Sequence, residues 1–568
     1  MTGGPTDQGG GPPRTRRWLL TAAGLAAAGA LTGCRAGAGG AAGSPGSGAA
    51  TTSPAVAGAP DRPTGTVNAP PVGVAEPTTP APTPPDPGLA GDPFRLGVAS
   101  GDPAADGVVL WTRLAPDPLA DDAGLGPLAG ADVELAWDVA TDDTFSTLAA
   151  SGVVPAPAAH GHSVHVEVSG LQPDAWYRYR FRLGAWTSAV GRTRTAPAPD
   201  AEPAALVLAA CSCQHWEHGT YVAHRHLAAE GVDVVLWLGD FIYEGGRGSA
   251  TVRDHPEDEA VDLAGYRRRY ALSRSDADLQ AAQAAAPWIV VWDDHEVQNN
   301  YAAAVPADGA DPAAFDARRA QAYQAWWENQ PVRLAPPVGS DYHVYRDLAW
   351  GRLARFLMLD GRSARSPQEC EGAVGDACDA LAEPSRTMLG DAQEQWVTDA
   401  FARAAQAGTT WTVLGNQTVL ADLTVPVGRR PTTLFDQWDG YPEARRRLLT
   451  AARRAGVANL VALTGDLHCS IAAELELDGV NHGSELVASS ISSIFPTELG
   501  SLFELGMSLL GNVKLTNTRN RGYLRGELGT DEARFSFRHV ADPTDTASGM
   551  TTTSTWVLRN GIAGLQRG

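Results

Sequence analysis

Apolar residues fall in two different patterns along this chain. From about residue 94 to 195 they alternate with polar ones in short runs, at 107–113, 133–137, 163–168 and 176–181. A period of two, broken by turn residues such as Leu171-Gln172-Pro173-Asp174, predicts half-buried strands. About 100 residues of such strands predict an antiparallel β-sandwich, here assigned to 92–198. His160, His162 and His165 then fall on a turn and a solvent-facing strand, which accounts for them without a metal.

After Pro197-Ala198-Pro199 the pattern changes to continuous apolar runs at 204–210, 232–238, 288–292, 353–359, 410–414 and 457–464. Alanine-rich stretches at 276–286 and 313–330 lie between some of them and predict helices. Fully apolar strands alternating with helices predict an α/β layered domain with buried sheets. That domain is assigned to 199–545, and 546–568 is expected as a C-terminal tail.

The N-terminus has a different character. Arg14-Thr15-Arg16-Arg17 followed by a short Ala/Leu/Gly stretch reads as a twin-arginine export signal over 1–34. Leu31-Thr32-Gly33-Cys34 has the form of a lipoprotein cleavage box, with Cys34 as the expected lipidated residue; an ordinary cleaved signal containing a cysteine is the alternative. Residues 35–91 are rich in Gly, Ala, Ser, Thr and Pro and cannot bury enough apolar surface to order themselves, so they predict a tether. The expected location is extracellular or on the outer face of the membrane. Cys370 and Cys378 flank a Gly/Asp-rich loop and suit a disulfide in that oxidising setting.

Composition changes this picture in one respect. A formal charge of -21 argues against a nucleic-acid backbone as partner. It leaves an anionic substrate open, because bound cations reverse the sign of a pocket locally.

Each apolar run of the second domain ends in a polar cluster. These are Cys211-Ser212-Cys213-Gln214-His215, Gly239-Asp240-Phe241-Ile242-Tyr243-Glu244, Asp293-Asp294-His295-Glu296-Val297-Gln298-Asn299-Asn300, Asp360-Gly361-Arg362, Gly415-Asn416-Gln417 and Gly465-Asp466-Leu467-His468. Any one could be a loop with a helix cap, and Asp360 could simply pair with Arg362 or Arg365. Together they predict ligands gathered outside the carboxyl ends of a sheet. A thiol, a phenol, carboxylates and imidazoles in that position describe a polynuclear metal site.

The set resembles the calcineurin-like metallophosphoesterases, and Ser212-Cys213-Gln214 with Trp292-Asp293-Asp294-His295-Glu296 is similar to the PhoD phosphatase/phosphodiesterase branch. Gly97-Val98-Ala99-Ser100-Gly101-Asp102-Pro103, Val109-Leu110-Trp111-Thr112-Arg113-Leu114 and Leu389-Gly390-Asp391-Ala392-Gln393 extend the resemblance over about 92–545. It implies a fibronectin-like sandwich before a four-layer αββα catalytic domain. It also implies Fe³⁺ with Ca²⁺ as cofactors. Cys213 and Tyr243 would bind iron, Asp240 would bridge, and Asp466 and His468 would complete the coordination. The calcium ligand is left open among Asp294, Asn299 and Asn300. His295 would stand near the phosphate as proton donor, with a nearby arginine as the alternative for stabilising the leaving oxygen. The implied reaction is hydrolysis of phosphate mono- and diesters by metal-activated water, since no Ser or Thr nucleophile motif is present. A phospholipase D-like diesterase on the same fold is the near alternative. A tethered envelope-binding protein with an inactive hydrolase domain is the alternative of another class.

Overall fold

The computed structural model describes residues 79–246, 252–255, 258–370, 372–426 and 430–568. The expected export signal, Cys34 and most of the tether lie outside them.

The six continuous apolar runs are strands: Ala205–Cys211, Val234–Leu238, Trp288–Val291, Ala354–Met358, Trp411–Gly415 and Leu460–Thr464. The first three run parallel as neighbours in a ten-stranded sheet, and the last three do so in a seven-stranded sheet. Successive side chains of the smaller sheet point to opposite faces, as a pleated strand requires. Phe356, Met358, Val413, Val461 and Leu463 share a core with Leu206, Leu208, Leu236 and Leu238 of the larger sheet. Leu357, Leu359, Leu414, Leu460 and Ala462 pack instead with Val397 and Phe401 of helix Gly390–Gln406 and Leu448 and Leu449 of helix Pro442–Ala455. On the outer face of the larger sheet Trp237 stacks on Trp288, and His224 of helix Val222–Ala228 stacks on Trp237. The order is therefore helix, sheet, sheet, helix.

The predicted helices are Ala277–Ala285 and Pro312–Glu328. The side chains of Asp276 and Asp311 accept from the N–H groups of their first turns, which fixes where the helices start.

Two features differ from the sequence expectation. The sandwich is present, with Val133–Ala140, Leu148–Ala156 and Trp176–Leu183 in a five-stranded sheet. Its other sheet, however, is not separate. Strands Val98–Ala104, Gly107–Arg113 and Ser163–Val168 extend the ten-stranded sheet, joined where Gly101 pairs with Trp288. A Cβ at Gly101 would lie 2.6 Å from Trp288 O and 2.1 Å from Pro331 O, so only glycine permits the join. His165 is accordingly buried rather than solvent-facing, with Nε2 3.0 Å from Trp327 O and 2.9 Å from Gln330 O. The second difference is at the C-terminus. Residues 546–568, expected as a tail, supply strands Met550–Arg559 and Ile562–Arg567 at the edge of the larger sheet. Their exposed Thr-rich alternation lacks the apolar run that marked the buried strands.

The sandwich reaches the other domain's functional end through one stack. The Arg274 guanidinium lies 3.8 Å over the Trp111 ring and 5.3 Å from the ring of Phe241, the residue after Asp240. Trp111 Nε1 donates to Glu328 O at 2.9 Å.

Candidate metal centre

The carboxyl ends of the two parallel strand sets meet. The turn after Ala205–Cys211 lies against the turn after Val234–Leu238, with Cys213 N donating to Gly239 O at 3.1 Å and Gln214 N to Asp240 O at 3.1 Å. Gly465 N donates to Gln417 O at 3.0 Å in the second sheet. Across the sheets, Trp292 Nε1 donates to Asp360 Oδ1 at 3.0 Å, and Ser212 bridges to Ser490. Glycines permit this crowding: a Cβ at Gly239 would lie 2.4 Å from Asp293 Cβ, and one at Gly465 2.6 Å from Ser212 Oγ.

Five side chains predicted from the sequence stand on left-handed backbone. Cys213 has φ 58°, Asp240 57°, Asn300 55°, Asp466 63° and His468 53°. Each such residue costs about 1–3 kcal/mol and persists only where its surroundings impose it. The clustering at one end of the fold marks where the chain stores strain.

The donor atoms form three overlapping groups, each within 4.8 Å: Cys213, Asp240 and His468; Asp240, Asp294 and His295; Asp293, Asp294 and Asp466. Tyr243 completes the first, its hydroxyl 2.9 Å from Asp240 Oδ2 and 3.0 Å from His468 Nε2. His468 Nδ1 is 3.2 Å from Ile494 O, so it donates there and leaves the Nε2 lone pair facing the group. Ser493 Oγ lies 2.8 Å from the Tyr243 hydroxyl and 2.9 Å from Cys213 O.

The residues present fit a cation. Asp240 Oδ1, Asp293 Oδ2, Asp294 Oδ1 and Asn416 Oδ1 are buried and take part in no hydrogen bond, which a buried acceptor tolerates badly unless something else occupies it. The protonation pattern agrees. Burial, with Asp240 beside it, pushes the Cys213 thiol well above its ordinary value. Burial, with help from Asp294, Glu296 and Asp466, raises the Asp240 carboxyl well above the usual range. Burial and then Asp294 and Asp436 bring Asp466 up to about 7. Burial and mutual repulsion make these groups resist ionising together, and a bound cation would relieve that resistance.

Two family models match the chain. PhoD-like phosphatase covers residues 208–537, and PhoD-like phosphatase, N-terminal domain, covers 80–197. The chain belongs to the PhoD-like phosphatase family. It is 43% identical to alkaline phosphatase D of Bacillus subtilis (strain 168) over 418 residues, 72% of this chain and 70% of that protein. A solved structure of PhoD superposes with a TM-score of 0.80 at 38% identity, covering 85% of this chain and 93% of the other. As an alkaline phosphatase D homologue, the protein is a phosphoric ester hydrolase.

Within this PhoD-like frame, Cys213, Asp240, Tyr243, Asp294, His295, Asp466 and His468 come together. On the Asp-Asp-His-Glu turn, Asp294 has its carboxylate in two of the three groups. Asn299 and Asn300 hold the turn with their backbone, Asn299 N donating to Glu244 Oε1 at 2.7 Å and Asn300 N to Asp294 Oδ2 at 2.6 Å. His295 Nδ1 lies 2.7 Å from Glu244 Oε2. Burial alone would lower its pKa, but Glu244, Asp294 and Asp240 more than offset this and raise it well above the ordinary value. The protonated form of the ring is thereby favoured. Cys211 sits two residues back in the strand, its sulfur 3.9 Å from Leu236 O and remote from these groups. Cys469 is buried without a role in the centre, and Cys370 and Cys378 are disulfide-bonded.

Sequence reasoning missed Asp293, Asn416, Glu244, Glu296 and Arg362 as working parts, although all stand in the strand-end clusters. Asp360 is a pin rather than a partner of an arginine side chain: it accepts from Trp292 Nε1, from Arg362 N at 3.1 Å and from Ser363 N at 3.0 Å. Arg362 turns the other way. Its Nε donates to Asp293 and its two terminal nitrogens fork onto Asp436 at 2.9 and 2.8 Å. All three guanidinium nitrogens are thus engaged by carboxylates.

Proposed function

We propose that this protein is an exported phosphodiesterase and phosphomonoesterase whose centre takes one trivalent and one divalent cation, Fe³⁺ and Ca²⁺. Charge carries this reading. Cys213, Tyr243 and Asp240 offer three anionic donors beside the neutral His468, the complement of a trivalent ion, and thiolate with phenolate suits iron. On the other side the carboxylates of Asp293, Asp294 and Asp466 suit the hard, oxygen-seeking calcium ion. Asp240 belongs to two of the groups and is placed to serve both ions.

Bound there, the ions would supply Lewis acidity toward phosphoryl oxygens and an attacking water. The chain supplies the rest. Glu244 holds His295 protonated, with its ring 4.1 Å from that of Tyr243, so a proton stands ready for the departing oxygen. Ser493 and Ile494 fix Tyr243 and His468 from behind. Elemental analysis of native protein tests the reading: iron with calcium is expected, and zinc alone or no metal overturns it. A panel of monoester, small diester and phospholipid at fixed calcium ranks the substrates.

Export is the second part of the proposal. Arg16-Arg17 before the apolar stretch supports the twin-arginine route, and Leu31-Thr32-Gly33-Cys34 supports a lipid anchor at Cys34 on the outer membrane face. Mass spectrometry of the mature N-terminus tests the anchor: a lipidated Cys34 is expected, and cleavage elsewhere overturns it. Replacing Arg16 and Arg17 together by lysine should leave the protein unexported.

A further inference from the structure

Asp293, Asp294 and Asp466 bring three carboxylates within 4.8 Å of one another in a buried setting. Asp436 adds a fourth nearby: it accepts the Arg362 fork, and its neighbour Gln437 donates to Asp466. Buried like charges at this spacing repel strongly and must be balanced or neutralised. A fixed positive charge on the chain would hold these groups in place without a bound cation.

Arg362 is built to do so. Its side chain is 0% exposed, and it ties three of the carboxylates at once: Nε to Asp293, the terminal pair to Asp436, and one terminal nitrogen 3.5 Å from Asp294 Oδ1. Its own backbone is fixed, with Arg362 N donating to Asp360 and Arg362 O accepting from Ala303 N at 3.0 Å. Arg365 Nη1 shares Asp436 at 2.8 Å, so the fork is braced from a second side. A guanidinium is planar, permanently charged and weakly hydrated, which suits burial between carboxylates better than an ammonium. It leaves Asp293 Oδ2 and Asp294 Oδ1 without hydrogen bonds, so both remain available to a divalent ion.

We infer that Arg362 is a positioning residue, a fixed cation that keeps Asp293, Asp294 and Asp436 assembled before the divalent ion arrives. The inference rests on the metal-centre reading above. It predicts that Arg362 matters most when calcium is absent. A side chain that only filled space would matter equally with and without it.

The test is thermal unfolding of full-length purified protein in EGTA and in calcium chloride, for wild type, R362Q and R362K. Wild type is expected to melt a few degrees lower in EGTA. In R362Q the calcium-induced rise in Tm should at least double, because calcium then supplies the missing positive charge. R362K, keeping the charge but losing the fork, should return that shift close to wild type while kcat for a small diester stays at least tenfold reduced. Equal loss of Tm for R362Q in both buffers overturns the inference, as does failure of R362Q to fold even in calcium, or R362K melting like R362Q in EGTA. Absence of any calcium shift in wild type instead overturns the metal reading beneath it.

Discussion

Phe241 N donates to Glu296 Oε1 at 2.6 Å, across the 55 residues that separate the Gly-Asp turn from the Asp-Asp-His-Glu turn. The other oxygen of the same carboxylate accepts from Asp293 N at 2.8 Å and Asp240 N at 3.1 Å. One buried side chain thus sets the spacing of two turns that each carry donor atoms. Glu296→Gln puts an NH₂ group where an oxygen accepts, leaving at least one backbone N–H unsatisfied. The expected cost is about 2–4 kcal/mol in unfolding free energy, read from urea midpoints. Activity should fall about a hundredfold alongside it, because Asp240 and Asp293 lose their common anchor.

Cys213 and Cys211 separate a donor from a core residue. Cys213→Ala removes a group within 4.8 Å of Asp240 and His468 and is expected to lose iron and at least about a hundredfold in kcat. Cys211→Ala lies in the strand core and should keep metal content and most activity, at a stability cost of about 1–2 kcal/mol. Elemental analysis of both variants checks the pair; a sensitive Cys211 with an insensitive Cys213 contradicts the site as drawn.

His295 should report on proton transfer rather than binding. His295→Gln is expected to lower kcat for an ester with a poor leaving group by about 10²–10³, with much less effect on an activated nitrophenyl ester that departs unaided. Glu244→Gln should give a weaker version of the same pattern, since it removes the carboxylate that keeps His295 charged. Steady-state kinetics on both esters provide the measurement, and equal losses on both would remove the donor role.

Acid should loosen the join between sandwich and catalytic sheet. Burial, only partly offset by bonds to the Gln330 and Trp327 carbonyls, holds His165 down to about 4, with His160 and Arg274 lowering it further. Its Nδ1 is buried without a partner, so protonation there gains nothing. A base whose folded pKa is depressed contributes its full stability above the unfolded value, about 6.5. That contribution drains as pH falls from there toward 4, to a total of about 3 kcal/mol. Urea melts at several pH values should show wild type losing more stability over this window than His165→Gln does.

Some of this architecture is legible in the chain and some is not, for physical reasons. The six buried strands announce themselves because both their faces are largely covered, so their residues are mostly apolar, with few polar ones such as Arg355 and Thr412 among them. Cys213, Asp240 and His468 are legible because these donor residues follow within four positions of those runs. The pairing of Gly101 with Trp288 is invisible, since a glycine in an alternating strand carries no sign of the backbone it will touch. The bond from Asn300 N to Asp294 Oδ2 is equally hidden, because it depends on how one turn curls back on itself. Arg362 could not be assigned from spacing either: its partners Asp293 and Asp436 are 69 and 74 residues away.

The strand that leads into Cys213 lies between Val234–Leu238 and Arg521–Gly529, and beyond Arg521–Gly529 come the hairpins of the last residues. The order of synthesis therefore runs against the order of assembly. Ala205–Cys211 cannot acquire its second neighbour until Arg521–Gly529 has been synthesised. Nascent chains should stay sensitive to protease around the Cys213 turn until that final segment emerges, and translation stopped short of Arg521 should yield a protein with an unclosed edge beside its most strained residues.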